Sequence, residues 1–269
     1  MLIVLVLGFY LLRPAAPPTT LPKPNGYDDF VKAGQMIAGT ANAEAIKLGK
    51  LGLTRECRVP IQYSLEFMHS HTADLVALRH LALALSAEGK LAEAQNRPSD
   101  ALKSYLDCVR LGNQSARGGL FVDKMVGLAI EEIGLSDIQK MTNEVSLTEY
   151  REAIQTLESL EANSELADDI LKRDKIWTQQ TYSRMAYWRA MIHRMIQEKT
   201  LHPARPPINF KTTIEAKENQ RRKLLVDLAT RAYELEKGER PKSIADLVPN
   251  YLKIIPLDPI TGTNIVFKP

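Results

Sequence analysis

The chain has 269 residues, 45% of them hydrophobic, with 35 Lys and Arg against 32 Asp and Glu and a formal charge of +3. That composition can bury a core and excludes disorder over the whole length. So small a net charge gives no electrostatic case for nucleic acid or an anionic surface as partner, and no nucleic-acid role is assigned. The two cysteines, Cys57 and Cys108, are too few for a disulfide framework and lack the paired spacing of a zinc or redox site. They are read as free buried thiols, or as a single bridge if the body lies in an oxidising compartment.

Residues 2–12, LIVLVLGFYLL, form an unbroken apolar run, and five prolines follow it between Pro14 and Pro24. An apolar run followed by a stiff, helix-incompatible spacer reads as a membrane anchor and linker. Eleven residues are fewer than the roughly 17–25 that a spanning helix needs, and a start upstream of Met1 would supply the difference. On this reading residues 1–12 are a hydrophobic anchor, 13–26 a Pro-rich linker, 27–237 a helical domain and 238–269 a C-terminal piece packed on it. The expected location is single-pass in the cytoplasmic membrane, with the C-terminal domain extracytoplasmic.

From Tyr27 to Lys237 apolar residues recur every three or four positions, the helical period, so the fold class is all-α, a multi-helix bundle. Residues 73–95 form a central helix with Leu75, Leu78, Leu81, Ala82 and Leu85 on its buried stripe. A second helix opens at Pro98 and is expected to stop at Gly112; together the two resemble a tetratricopeptide hairpin, with Gly89, Ala101, Tyr105 and Cys108 near that repeat's small and aromatic positions. No further copy recurs, so a solenoid is not expected.

The next helix presents Phe121, Met125, Leu128 and Ala129 and is expected to end at Gly134, with Ser136 and Gln139 capping a separate one. Ser146 with Glu149 opens another. Asn163 or Ser164 begins a long helix to about Lys199, carrying Ile170, Trp177, Met185, Trp188, Ile192 and Met195 inward. Thr212 with Glu215 starts the last, in which Arg221, Arg222 and Lys223 are read as a solvated face.

The tail, GERPKSIADLVPNYLKIIPLDPITGTNIVFKP, holds five of the 15 prolines. Gly238 ends the long helix, Pro241 prevents its resumption, and Ser243 with Asp246 caps a short turn that faces Ile244, Leu247 and Val248 inward. The remainder reads as a small β-hairpin around Asp258, Pro259 and the Thr261-Gly262 turn. The Leu-Val-Pro-x-Tyr-Leu turn and the Pro-x-Asp-Pro-x-x-Gly loop resemble the C-terminal segment of type II secretion pseudopilins. From about residue 50 onward the chain resembles an uncharacterised group of membrane-anchored helical proteins of planctomycetes and verrucomicrobia. Those likenesses imply an envelope location and no chemistry. Pilins carry Gly-Phe before a Glu five residues into the mature chain; here Gly8-Phe9 lies near the end of the apolar run and Arg13 stands at the Glu position, so filament assembly is not implied.

No nucleophile elbow, HExxH, P-loop or dinucleotide-binding glycine pattern occurs. Of His69, His71, His80, His193 and His202 only the first two lie close together, and on a helix they would point about 200° apart. They are read as surface or interface residues, and His80 and His193 as partly buried. Glu131-Glu132 and Asp168-Asp169 read as solvated faces, and Asp258 has too few oxygens around it for calcium. The sequence thus assigns no catalytic residue, no metal ligand and no cofactor. It points to a membrane-anchored extracytoplasmic helical protein with a binding or scaffolding role and a protein partner in the cell envelope. The alternatives are an enzyme with a site assembled near His69 and His71, and an accessory of a secretion or pilin-like system.

Overall fold

A computed structural model describes residues 20–38, 42–141, 145–182 and 210–267. Among these the protein is helical: α1 (Gly26–Ala38), α2 (Asn42–Gly52), α3 (Leu65–Ala94), α4 (Pro98–Ser115), α5 (Phe121–Lys140), α6 (Leu147–Ala162), α7 (Ala167–Thr181) and α8 (Phe210–Lys237), followed by a 3-10 turn at Ile244–Leu247. The all-α expectation holds for the described residues. The apolar run at 2–12 and residues 183–209, with Met185, Trp188, His193 and His202, lie outside them. No described helix is long and apolar enough to cross a membrane.

Two cores share the α4–α5 hairpin. One gathers Tyr27, Phe30, Phe67, Leu78, Leu81 and Trp177 with Cys108, Leu111 and Ile130. The other gathers Tyr105, Val109, Leu135 and Ile138 with Leu157, Leu228 and the tail residues Leu247, Tyr251, Leu252 and Ile265. Successive faces of α4 therefore feed both cores, as a helix buried around most of its circumference must. The five leucine and alanine positions expected on the buried stripe of residues 73–95 are all buried.

Several expected breaks are not breaks. Gly112 lies inside α4, and Gly134 and Ser136 lie inside α5, which runs unbroken to Lys140. The glycines serve contact rather than termination. A Cβ on Gly112 would stand 2.5 Å from the Gly127 carbonyl oxygen, one on Gly127 2.5 Å from that of Gly112, and one on Gly134 2.5 Å from that of Tyr105. Side chains are absent where the two helix backbones touch. Gly89 works likewise in the α3–α4 hairpin, where the Tyr105 ring occupies the space its Cβ would take, 2.3 Å away. Ala129, expected to face inward, is exposed, and Ile130 is buried in its place.

The capping expectations fare better. The Ser146 hydroxyl accepts from Glu149 N at 3.3 Å while Glu149 accepts from Ser146 N at 2.8 Å. Gly238 ends α8 with a φ of +72°, and Asp246 accepts from Ser243 N at 2.8 Å. The long helix expected from Asn163 begins at Ala167, with Leu166 at its cap position. The expected β-hairpin is not formed: among the described residues the tail makes one isolated antiparallel bridge, Leu257 with Asn264. The Asp258 carboxylate accepts from Ile260 N and Thr261 N and so holds a tight turn in place of paired strands.

Gly134→Ala is expected to lower stability by about 1–3 kcal/mol even after the helix-propensity gain, because backbone rather than a yielding side chain opposes the methyl. Thermal unfolding of the variant against wild type measures this.

Candidate functional site

Three places concentrate polar chemistry: a buried histidine cluster, a cleft beside α8, and the tail. His71 projects from α3 into the first core with its side chain wholly buried. Its Nε2 lies 2.6 Å from Asp123 Oδ1 and its Nδ1 3.4 Å from the Tyr27 hydroxyl, with Asp74 3.7 Å away. Phe67, one turn earlier, stacks on the ring at 4.6 Å between centroids. Burial pulls the imidazole's pKa down, but the hydrogen bond to Asp123 and the charges of Asp123 and Asp74 outweigh it and hold the pKa above the usual histidine value. When the ring carries both protons, Nε2–H donates to Asp123 and Nδ1–H faces the Tyr27 oxygen.

Asp123 has a second task. Its Oδ2 accepts from Leu120 N at 2.7 Å, while Asp174 of α7 accepts from Phe121 N at 3.2 Å, so two carboxylates close the N-terminus of α5. Arg173 of α7 donates to Gly119 O at 2.5 Å, and Trp177 Nε1 to Gln62 O at 2.7 Å. One histidine thus ties α1, α3 and the start of α5 together, and α7 clamps the same corner.

This overturns part of the expectation for the MHSH stretch. His69 is exposed and contacts the Leu65 carbonyl, as a surface residue should, but His71 is buried. The two diverge on one helix and cannot share a metal. A dyad of His71 and Asp123 has the hydrogen bond that a general base requires, yet the Phe67 ring and complete burial leave no room for a substrate at it. His80 is half-buried, as expected.

The cleft, of about 270 Å³, runs between the α6–α7 turn and one face of α8, with Leu166, Ala167 and Ile214 as its apolar lining and Ser164, Glu218 and Arg221 among its polar groups. Arg221, expected in solvent, is 2% exposed and pairs with Glu131 of α5 at 3.0 Å. Glu131, also expected in solvent, is buried; its neighbour Glu132 contacts Lys217 at 3.1 Å and Gln220 at 2.8 Å. The physical reason is the register of α8, which turns residues 217, 220 and 221 toward α5, where the counter-charges neutralise one another. Arg221 Nε and Glu131 Oε1 have no hydrogen-bond partner among the described residues. Arg222 pairs with Glu161 and donates to Leu257 O at 2.5 Å, while Lys223 and the pair Asp168-Asp169 are exposed, as read.

Cys57 and Cys108 are both free and buried. Cys108 Sγ lies 3.6 Å from Ala82 O and 3.5 Å from Ile130 O, and burial pushes its thiol pKa up to about 12. Asp258 spends its oxygens on Ile260 N, Thr261 N and Asn219 Nδ2, which leaves little for a calcium ion. No group of metal-ligating residues forms among the described residues. Helical spacing sets His71 four and seven residues before Leu75 and Leu78, on the buried stripe, and leaves His69 off it; nothing local distinguished Arg221 from Arg222, and partners 52 and 90 residues distant complete the two sites. No protein family, no curated protein and no solved structure matches this chain.

Asp123→Ala is expected to cost about 3–5 kcal/mol, since it strands a buried imidazole and uncaps α5. His71's own contribution has a definite sign: with its folded pKa raised, it is fully present below the ordinary value of 6.5 and is lost as pH rises through the folded value. Urea midpoints between pH 6 and 9, compared with His71→Phe, will show the wild type declining more steeply. Both thiols should resist an aromatic disulfide reagent in the native protein and react on unfolding, which absorbance detects directly.

Proposed function

We propose that this chain is a binding or scaffolding protein of the cell envelope, tethered through residues 2–12, with its tail surface turned toward a protein partner. The observation that carries the reading is where large aliphatic side chains remain in solvent. Val266 is 80% exposed, Ile254 74%, Ile260 59% and Leu257 49%, all within fourteen residues of one tail. Singly exposed aliphatics need no explanation, but several in one ordered segment are the mark of a contact surface. That segment is pinned: Leu257 O accepts from Arg222, Asp258 N donates to Thr263 O at 2.7 Å, and Ile265 N donates to Pro256 O at 3.1 Å. Preorganised apolar groups reduce the ordering cost of association.

The envelope location rests on the apolar run and its proline spacer, and on the likeness of the tail to pseudopilins. The buried state of His71 and Arg221 weighs for a structural use of the strongest polar groups and against an enzyme assembled around the histidine pair. Cross-linking of intact cells followed by membrane fractionation tests the proposal. The wild-type chain should sediment with membranes and form a defined adduct, and Ile254→Glu with Val266→Glu should lose the adduct while unfolding at an unchanged temperature. Full-length chain free in the soluble fraction, or adducts indifferent to both substitutions, would refute it.

A further inference from the structure

The piece that follows α8 is held to the bundle by an unusually uniform kind of bond. The Tyr251 hydroxyl donates to Glu236 at 2.6 Å, and Arg151 of α6 reaches the same carboxylate at 2.8 Å. Lys253 N donates to Glu158 of α6 at 2.9 Å, with the Lys253 ammonium 3.4 Å from its other oxygen. Asn219 of α8 donates to Asp258 at 2.9 Å, and Asp258 in turn accepts from Ile260 N and Thr261 N. Arg222, paired with Glu161, carries Leu257 O, and Arg240 meets Glu234 at 2.7 Å. Nearly every polar tie thus ends on, or passes through, an ionised carboxylate. Beneath them, Leu247, Tyr251, Leu252 and Ile265 join the second core.

We propose that residues 238–267 form a strap latched across α6 and α8 by carboxylates, and that in acid the strap opens locally while the helical bundle beneath it stays closed. Hydrogen bonds to ionised acceptors are the strong ones, and protonation turns each acceptor into a weaker partner. The cations facing the latch are Arg151 from α6, Arg222, Lys223 and Lys237 from α8, and Arg240 and Lys253 from the strap itself, and the carboxylates are Glu158 and Glu161 from α6, Glu234 and Glu236 from α8, and Asp246 and Asp258 from the strap.

The direction of the proton linkage is consistent with this geometry. The Tyr251 hydroxyl, with Arg151 and Lys237, holds Glu236 below the usual carboxylate range; the Ile260 and Thr261 amides, with Asn219 and Lys223, do the same for Asp258. Groups lowered on folding contribute stability above their unfolded values that is lost as pH falls through the folded ones. The corner around His71 has the opposite sign: burial raises Asp28, Asp74 and Asp174, so their ionised forms cost stability that protonation in acid relieves. The two ends of the molecule therefore respond to acid differently, whatever the strap binds, and the inference does not depend on the proposed envelope role.

Amide hydrogen exchange on the full chain, read at peptide resolution and corrected for intrinsic rates, tests the latch. Between pH 7 and about pH 3, protection in 244–267 should fall tenfold or more relative to α3, on the order expected for losing one or two charge-assisted bonds. Glu236→Gln with Asp258→Asn keeps acceptors at both positions but removes their titration. That double variant should already show weaker strap protection at pH 7, because its acceptors are neutral, and should lose most of the further acid response. Equal loss of protection in the strap and in α3, or an acid response undiminished in the double variant, would overturn the proposal.

Discussion

The structure depends on how closely α4 and α5 approach. Gly112 and Gly127 each leave out a side chain where the other's carbonyl stands, and Gly134 does so against Tyr105. Backbone-to-backbone contact of this kind sets the helix pair at one separation and one rotation, since any added methyl meets unyielding atoms. From that rotation follow the placements of Cys108 and Ile130 toward one core and Tyr105, Leu135 and Ile138 toward the other. Asp123 then stands at the start of α5 within reach of His71, and Glu131 two turns on faces Arg221.

Two polar pairs in the interior illustrate how such groups are tolerated there. His71 with Asp123 and Arg221 with Glu131 each join helices distant in sequence, and each leans on further hydrogen bonds: Leu120 N and Tyr27 in the first case, Ser164 in the second. Such pairs add little net stability over a well-packed apolar substitute, but they penalise every arrangement that separates them. The first closes the corner where α1, α3, α5 and α7 meet, and the second fixes the register of α8 against α5. The cleft next to Arg221 is a consequence of that register, walled by charges that mostly neutralise one another.

The tail is organised differently. Its apolar residues fall into two sets: Leu247, Tyr251, Leu252 and Ile265 face the helices, whereas Ile254, Leu257, Ile260 and Val266 face solvent. Prolines and the Asp258 turn leave the backbone without a regular ladder, so beside its local turn bonds the carboxylates of Glu158, Asp246 and Asp258 accept from its amides. A surface of exposed aliphatics on a segment ordered by ionised groups couples what the tail can contact to the protonation of its latch.

Local signals were legible without the fold. Helical period named the class, the Ser146-Glu149 and Ser243-Asp246 pairs marked two starts, Gly238 marked a stop, and the leucine stripe of residues 73–95 was read residue by residue, because each depends only on neighbours within a turn or two. Tertiary structure alone decided the rest. Glycine inside a helix and glycine ending one look alike until a second helix is present to touch it, so Gly112 and Gly134 were misread as stops. His71 lies on the buried stripe but has no charge partner until Asp123 arrives from another part of the chain, and Arg221 looks like Arg222 until Glu131 does. The tail looked like strands because its residues favour extended backbone, yet an isolated pair of short segments has too few ladder bonds to compete with the carboxylates and apolar surface of the helices beside it.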